Sequence, residues 1–564
     1  MEPNPMYRMY RRALLAVPCA GLAATLFACG SSNSNTPSAT AQDALSTATP
    51  IKHLVVIYGE NVSFDHYFAT YPSATNPSGE PAFTAATGTP AINGLSGALL
   101  TANPNFTNTA NGADAANPFR LDRTQAATAD QNHAYTAEQR AGDNGALDLF
   151  PKYTGNATSG GAGAFGTKGQ VMGYFDGNTV TALWNYAQKF AMSDNAWTTT
   201  YGPSTPGALE VVAGQTNGLQ LVVSSKQPAT ATTSSYYIND GAGGLTMIND
   251  VDPGYDVCSS TTDTAMINAK NIGDLLNAQK ITWGGFMGGF NLQTTNSNGT
   301  TGCKRSTIAS AVNASTADYI PHHNWFQYFQ STANPQHTRP SSTAAIGSSL
   351  ETDGKTAEPA NHQYDSDDFF AAVKAGNYPS VSFLKAPAAQ DAHAGYSDPL
   401  DEQQFVTKVV NFLMQQPDWK NTAVVVTYDD SDGWYDHQYM APVHSSMATA
   451  DQLNGNGVCG SGTQPVGVAG APVNGRCGPG TRIPFVVISP WAKANYVDHT
   501  FIDQASVVRF IEDNWLGSAR LGGGSFDAAA GDMRGMFDFG GKGNLPVLYL
   551  DGSQGTQLSA APAM

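Results

Sequence analysis

Two stretches of the chain carry apolar residues without alternation. Residues 53–58 hold Leu54, Val55, Val56 and Ile57 in a row, and residues 422–428 hold Ala423, Val424, Val425 and Val426. Such runs read as strands buried on both faces, the pattern of a parallel sheet covered by helices. Residues 380–384 and 482–490 supply two more buried strands. Helical periods lie between them: 63–68 with Ser63 as its cap, 183–190, a segment starting just after Ser204 and running through Val211, 401–416 stopped by Pro417, and 506–515 with Val507, Phe510, Ile511 and Trp515 on one face. Strand 380–384, helix 401–416 and strand 422–428 form a βαβ unit, so the two strands are expected to be parallel. Residues 215–311 lack periodicity, apart from a helix near 272–279 and a strand near 281–286, and are expected to be an insertion.

The strands end in acid. Asp429, Asp430 and Asp432 follow one buried run, and Glu60 and Asn61 follow another. Taken singly, these residues read as turn formers. Ligands of α/β sheets gather at the carboxyl ends of strands, and neighbouring carboxylates repel unless a cation, a proton or strong donors hold them. An oxygen-rich set of this kind suits one hard divalent ion. Ser204, ahead of Pro206, has two readings: helix cap, or nucleophile at the positive end of a helix dipole. Adjacent His322 and His323 stand out in a chain of 11 His, whereas His337, His362, His444 and His499 read as ordinary core or surface residues.

Composition narrows the partners. The chain has 564 residues, a net charge of −17 and only 13% charged residues, with 58 Gly, which is more typical of exported proteins and argues against nucleic acid as a broad-contact partner. Arg8, Arg11 and Arg12 precede an apolar run ending at Cys29, so 1–28 is expected to be a signal peptide of lipoprotein type, with a lipid anchor at Cys29 or ordinary cleavage as the alternatives. Residues 29–50 follow as a flexible linker, 51–540 as the catalytic domain and 541–564 as a tail. In an oxidising compartment, periplasmic, cell-surface or secreted, the local cysteine pairings are Cys258–Cys303 and Cys459–Cys477.

The block Glu60-Asn61-Val62-Ser63-Phe64-Asp65-His66-Tyr67-Phe68, with Asn132–Gln139, Tyr201–Gly207, Pro321–Asn324 and Asp391–Tyr396, resembles the bacterial phosphoesterase family of phospholipase C and acid phosphatase, including the respiratory-burst-inhibiting acid phosphatase type. The resemblance runs from about 51 to 539. It implies a doubly wound, mostly parallel alkaline-phosphatase-like sheet with helices on both faces. It also implies that Ser204 attacks phosphorus and forms a phosphoserine, while Glu60, Asn61, Asp429 and Asp430, joined by Ser204, hold one divalent ion. His133, His322, His323 and His393 would neutralise the non-bridging oxygens and protonate the leaving oxygen, kept cationic by the nearby acids. The substrate is then a small phosphate ester or a phospholipid headgroup. Asp429-Asp430-Ser431-Asp432-Gly433 looks more like the acid phosphatase branch, with phospholipase C action on diesters as the alternative. A sulfatase would need Arg where Ala208 stands. A non-catalytic, carbohydrate-binding surface lipoprotein is the reading of another class, and it requires that Ser204 and the four acid and amide residues do not converge.

Overall fold

The computed structural model describes residues 42, 44–223, 235–260, 263–310, 312–541 and 545–563. The expected signal 1–28, Cys29 and the linker as far as 41 lie outside the described residues. Eight strands form the central sheet: β1 (His53–Gly59), β2 (Ala191–Ser193), β3 (Trp283–Met287), β4 (Gln363–Asp365), β5 (Val381–Lys385), β6 (Thr422–Tyr428), β7 (Phe485–Ile488) and β8 (Tyr496–Asp498). Their spatial order is β4-β3-β5-β1-β6-β7-β2-β8. Only β7 runs against the rest, pairing antiparallel with both β6 and β2. The fold is α/β, with a mostly parallel sheet.

The unalternating strands are explained by what covers them. Val55, Ile57, Val424 and Val426 face one side, where they pack with Phe405, Val409 and Phe412 of one covering helix and Leu183 of another. Leu54, Val56, Ala423 and Val425 face the other, against Leu209, Val212, Val508 and Ile511. Each such side chain taken fully from water contributes about 1.5–3 kcal/mol, so the register of β1 and β6 is held from both faces. The principal helices are α1 (Phe64–Phe68), α2 (Tyr135–Gly142), α3 (Thr181–Lys189), α4 (Ser204–Ala213), α5 (Ile272–Ala278), α6 (Ser366–Lys374), α7 (Pro399–Met414) and α8 (Ala505–Trp515). The cap of α1 is as expected, Ser63 accepting from the N–H of His66. Helix α7 starts earlier than 401 because Asp398 caps it and Pro399 suits its first turn.

Three stretches are placed more closely than the sequence indicated. Within 215–311, expected to be an insertion, β3 lies inside the central sheet between β4 and β5. Its sequence Trp-Gly-Gly-Phe-Met lacks β-branched residues, and the glycines make room for rings: a Cβ on Gly284 would stand 2.8 Å from the Phe286 ring. Other described parts of the segment include peripheral strands such as Leu219–Val223 and Asp263–Ile267. The tail is also docked, since Leu550 is buried and exchanges hydrogen bonds with Asn411 of α7 at 2.8 and 3.1 Å. The end of the linker is tied down by Ala48 and Thr49, whose N–H groups bond Asn514 at 2.9 Å. Both disulfides form, Cys258–Cys303 and Cys459–Cys477.

Glu402 of α7 is buried under the sheet, accepting from the hydroxyls of Tyr67 and Tyr428. Burial pushes its pKa up to about 7, against the two tyrosine hydrogen bonds. A raised acid contributes stability that is fully present below its unfolded pKa and is lost as pH rises through the folded value. The wild type is therefore expected to lose stability between about pH 4.5 and about pH 7 on account of this group. Glu402→Gln should be more stable than wild type at about pH 8 by on the order of 1–3 kcal/mol, with the gap closing near pH 4.5. Urea titrations at the two pH values measure it, and an equal gap at both would refute the assignment.

Candidate active site

The register of β1 against β6 puts Gly59 opposite Tyr428, so Glu60 and Asn61 leave one strand beside Asp429 and Asp430 leaving the other. Asn61 turns with φ 64, a conformation Asn tolerates, and its N–H donates to Asp429 Oδ1 at 3.0 Å. The same oxygen accepts the Asp430 N–H at 2.8 Å. Helix α4 presses directly onto this edge. A Cβ on Gly207 would lie 2.0 Å from the Asp429 carbonyl oxygen, and Tyr58 donates its hydroxyl to the Gly207 carbonyl at 2.8 Å.

That approach sets the place of Ser204. It is the first residue of α4, and its hydroxyl does not cap the helix. The hydroxyl lies 3.2 Å from Asp430 Oδ2 and 3.3 Å from Asn61 Oδ1, donating its one proton to either. Asn61 Nδ2 donates to Asp432 Oδ1 at 3.1 Å. Ser204, Asn61, Asp429 and Asp430 therefore form one buried cluster, with Glu60 at its side. Thr205 is held elsewhere, giving its N–H and hydroxyl to Asp250 at 2.9 Å.

The four histidines follow one another along the cluster. Ring centroids are 4.5 Å apart for His322 and His323, 6.1 Å for His323 and His393, and 6.0 Å for His393 and His133. His133 points Nδ1 at the Gln131 carbonyl and at Asp432 Oδ1, 3.2 Å away. His393 gives Nδ1–H to the Ala394 carbonyl, which leaves Nε2 as its free nitrogen. Their charges divide. Burial opposes the cationic form of His133, but Asp430, Asp432 and Asp130 together raise its pKa well above the ordinary value. His322 is likewise raised against burial, by Asp252 and Asp250. Burial and the positive neighbours His322 and Lys385 drive His323 well down, and burial takes His393 to about 4. The expectation that nearby acids keep all four cationic thus divides: acids favour the cationic form at His133 and His322, and burial disfavours it at His323 and His393.

Several residues of the cluster were not foreseen as site residues. Lys385, the last residue of β5, is buried with its ammonium in contact with Glu60 Oε1 and 3.7 Å from Asp429 Oδ2. Asp391 Oδ2 is 3.7 Å from His323 Nδ1. Asp432, raised by burial to about 8, orients both His133 and Asn61. Glu138 of α2 joins two site loops, accepting from Ser431 Oγ at 2.7 Å and from the Gly202 N–H at 3.0 Å. Asp250 and Asp252 come from the segment expected to be peripheral. Lys385 had a legible signal, a charge at the end of a buried strand, the same one that marks Asp429.

The donor set fits a cation. Glu60 Oε2 and Asp429 Oδ2 are buried and accept no hydrogen bond among the described residues. Burial and Asp429 raise the Glu60 pKa, and burial raises that of Asp430, both well above the carboxylate range, so the ionised forms lack positive charge. Glu60, His323 and Asp391 also each offer a ligand atom within 4.8 Å of one another, as do Asp130, His133 and His393.

Comparison with known proteins agrees with this chemistry. Over 198 residues the chain is 31% identical to the non-hemolytic phospholipase C of Pseudomonas aeruginosa, covering 34% of this chain and 28% of that protein. Phospholipase C A of Mycobacterium tuberculosis is 28% identical over 176 residues, 30% of this chain and 32% of that protein. The matched segments thus span under a third of these curated relatives. A solved structure of a protein in the alkaline phosphatase superfamily from Vibrio parahaemolyticus aligns over 65% of this chain and 67% of its own, at 11% identity and a TM-score of 0.27, a likeness too slight to add to the topology. The model of the Phosphoesterase family matches residues 51–516, which is most of the chain and contains every residue of the cluster, and the chain belongs to that family.

Proposed function

We propose that the chain hydrolyses phosphoric esters, with Ser204 as the nucleophile. The observation that carries this is the Ser204 hydroxyl, which opens a helix without capping it and lies 3.2 Å from Asp430. Glu60, Asn61, Asp429 and Asp430, with Ser204, would hold one divalent ion, which supplies positive charge to the acids and eases ionisation of the hydroxyl. The chain's own groups do the rest. Asp430 accepts the Ser204 proton as Oγ attacks phosphorus, the bond to the leaving oxygen breaks, and a phosphoserine results. His322, half-exposed and cationic, donates a proton to the leaving oxygen, while His133 balances charge on the non-bridging oxygens. His393, neutral with Nε2 free, takes a proton from the water that releases phosphate and frees Ser204.

The substrate of this reading is a small phosphomonoester, on the strength of the Asp429-Asp430-Ser431-Asp432-Gly433 stretch. The phospholipase C relatives favour a second reading, phospholipid diesters. Assays with a chromogenic monoester, a chromogenic diester and phosphatidylcholine separate the two. The two disulfides support an exported protein, and a lipid anchor at Cys29 remains part of the proposal.

Ser204→Ala should retain the fold within about 1 kcal/mol, because no helix cap is lost, and should lower turnover by about a thousandfold or more. Acid quenching during turnover should trap a phosphoserine in wild type and none in the variant. A folded S204A within tenfold of wild type would dismiss Ser204 as nucleophile.

The pH profile follows from the two raised histidines. Because their cationic forms persist above the ordinary imidazole pKa of ~6.5, kcat/KM should hold through that value and fall only at higher pH. His322→Asn should lower kcat/KM for a monoester by roughly a hundredfold and flatten the alkaline fall. An unchanged alkaline limb in H322N would remove His322 as the acid.

A further inference from the structure

The mechanism leaves the buried ammonium of the site unused. Lys385 lies among acids at the end of β5, with no exposure, its ammonium in contact with Glu60 Oε1 and 5.3 Å from the Tyr58 ring. Glu60 Oε1 is also the oxygen that faces His323, 3.2 Å from Nδ1, and His323 in turn lies 3.7 Å from Asp391 Oδ2. Glu60, His323 and Asp391 form one of the groups whose ligand atoms fall within 4.8 Å of one another. Carboxylate, carboxylate and imidazole form a donor set that zinc accepts, and the ammonium stands at its edge, against the oxygen the set shares. On the other side the same ammonium is 3.7 Å from Asp429 Oδ2.

We propose that Lys385 occupies a second cation position, so that its fixed ammonium takes the place a second metal ion would fill between Glu60, His323, Asp391 and Asp429. The physical argument is charge and reach. Three buried carboxylates around one point need more positive charge than an ion on the Asp430 side supplies, because an uncompensated buried charge is far more costly than a paired one. A lysine on a sheet strand meets that need without dissociating, and unlike a metal ion it carries no water that could act as a nucleophile. The pairing therefore leaves the attack to Ser204. Lys385 is a positioning residue here: it fixes Glu60 and Asp429 and keeps the site to one exchangeable ion. This rests on the one-ion reading above.

The experiment counts metal rather than activity. Wild type, Lys385→Ala, His323→Ala and the K385A/H323A double variant are equilibrated with zinc, desalted, and analysed for metal per chain. Wild type and H323A should hold about one ion, K385A about two, and the double variant about one again, because the added site needs the His323 nitrogen. Zinc should also raise the Tm of K385A more than that of wild type. A K385A protein with the same zinc content as wild type overturns the proposal and leaves the one-ion reading intact. Wild type with two ions overturns it as well. Wild type with no ion, alongside K385A gaining one that H323A removes, supports the second position and rejects the one-ion reading instead. If K385A does not fold, Lys385→Ser is read in the same way, with zinc present during refolding. Failure of both variants to fold even with zinc would mean that a divalent ion cannot replace the ammonium, and would refute the proposal.

Discussion

Everything at the site depends on keeping several carboxylates buried together at the end of a sheet whose strands cannot slip. A one-residue shift between β1 and β6 would turn Val55 and Val425 onto the opposite faces, which both layers of helices forbid. The cost of that rigidity is local repulsion between Glu60, Asp429 and Asp430, which no hydration relieves. Positive charge must come from what surrounds them: Lys385 from the neighbouring strand, His133 through Asp432, and a divalent ion in the proposed mechanism. Gly207 completes the arrangement, since any side chain there would push the helix, and Ser204 with it, off the Asp429 backbone.

Much of this was legible in the sequence because it rests on local signals. An unbroken Val424–Val426 run announces a strand buried on both faces, and acids after it announce the edge. Pro206 announces the helix that opens at Ser204. What stayed illegible was set by partners distant in the chain. Trp283–Met287 was legible as a strand but not as a member of the central sheet, and its place between β4 and β5 follows from ring packing against Phe326 and Tyr364. Asp250 and Asp252 look like loop acids until they meet Thr205 and His322. The direction of β7 leaves no trace in its composition.

The buried charges away from the cluster show a different solution. Arg482 is fully buried, yet its guanidinium bonds Asp436 at 2.9 Å and Asp65 at 3.2 Å, and it donates to the carbonyls of Asn93 and Asp194. Those bonds tie α1 to the loop after Gly433, so the segment bearing Asp429 to Asp432 is anchored at its far end. There every donor has an acceptor, and the group is a fastener. Glu60 Oε2 and Asp429 Oδ2 accept no hydrogen bond among the described residues, and that difference separates a site from a strut.

The divided histidines follow from the same shortage of donors. His323 lies beside Glu60 and Asp391, and by proximity alone should be cationic, but burial, His322 and Lys385 outweigh those carboxylates. His133 and His322 escape because each has several acids that outweigh burial, Asp430, Asp432 and Asp130 for one, Asp252 and Asp250 for the other. Negative charge is therefore distributed, not pooled. The two rings whose pKa is raised lie at the ends of the histidine row, and the two whose pKa is lowered lie in its middle. In the proposed mechanism that order puts proton donation and charge balance at the ends of the row and a proton acceptor within it.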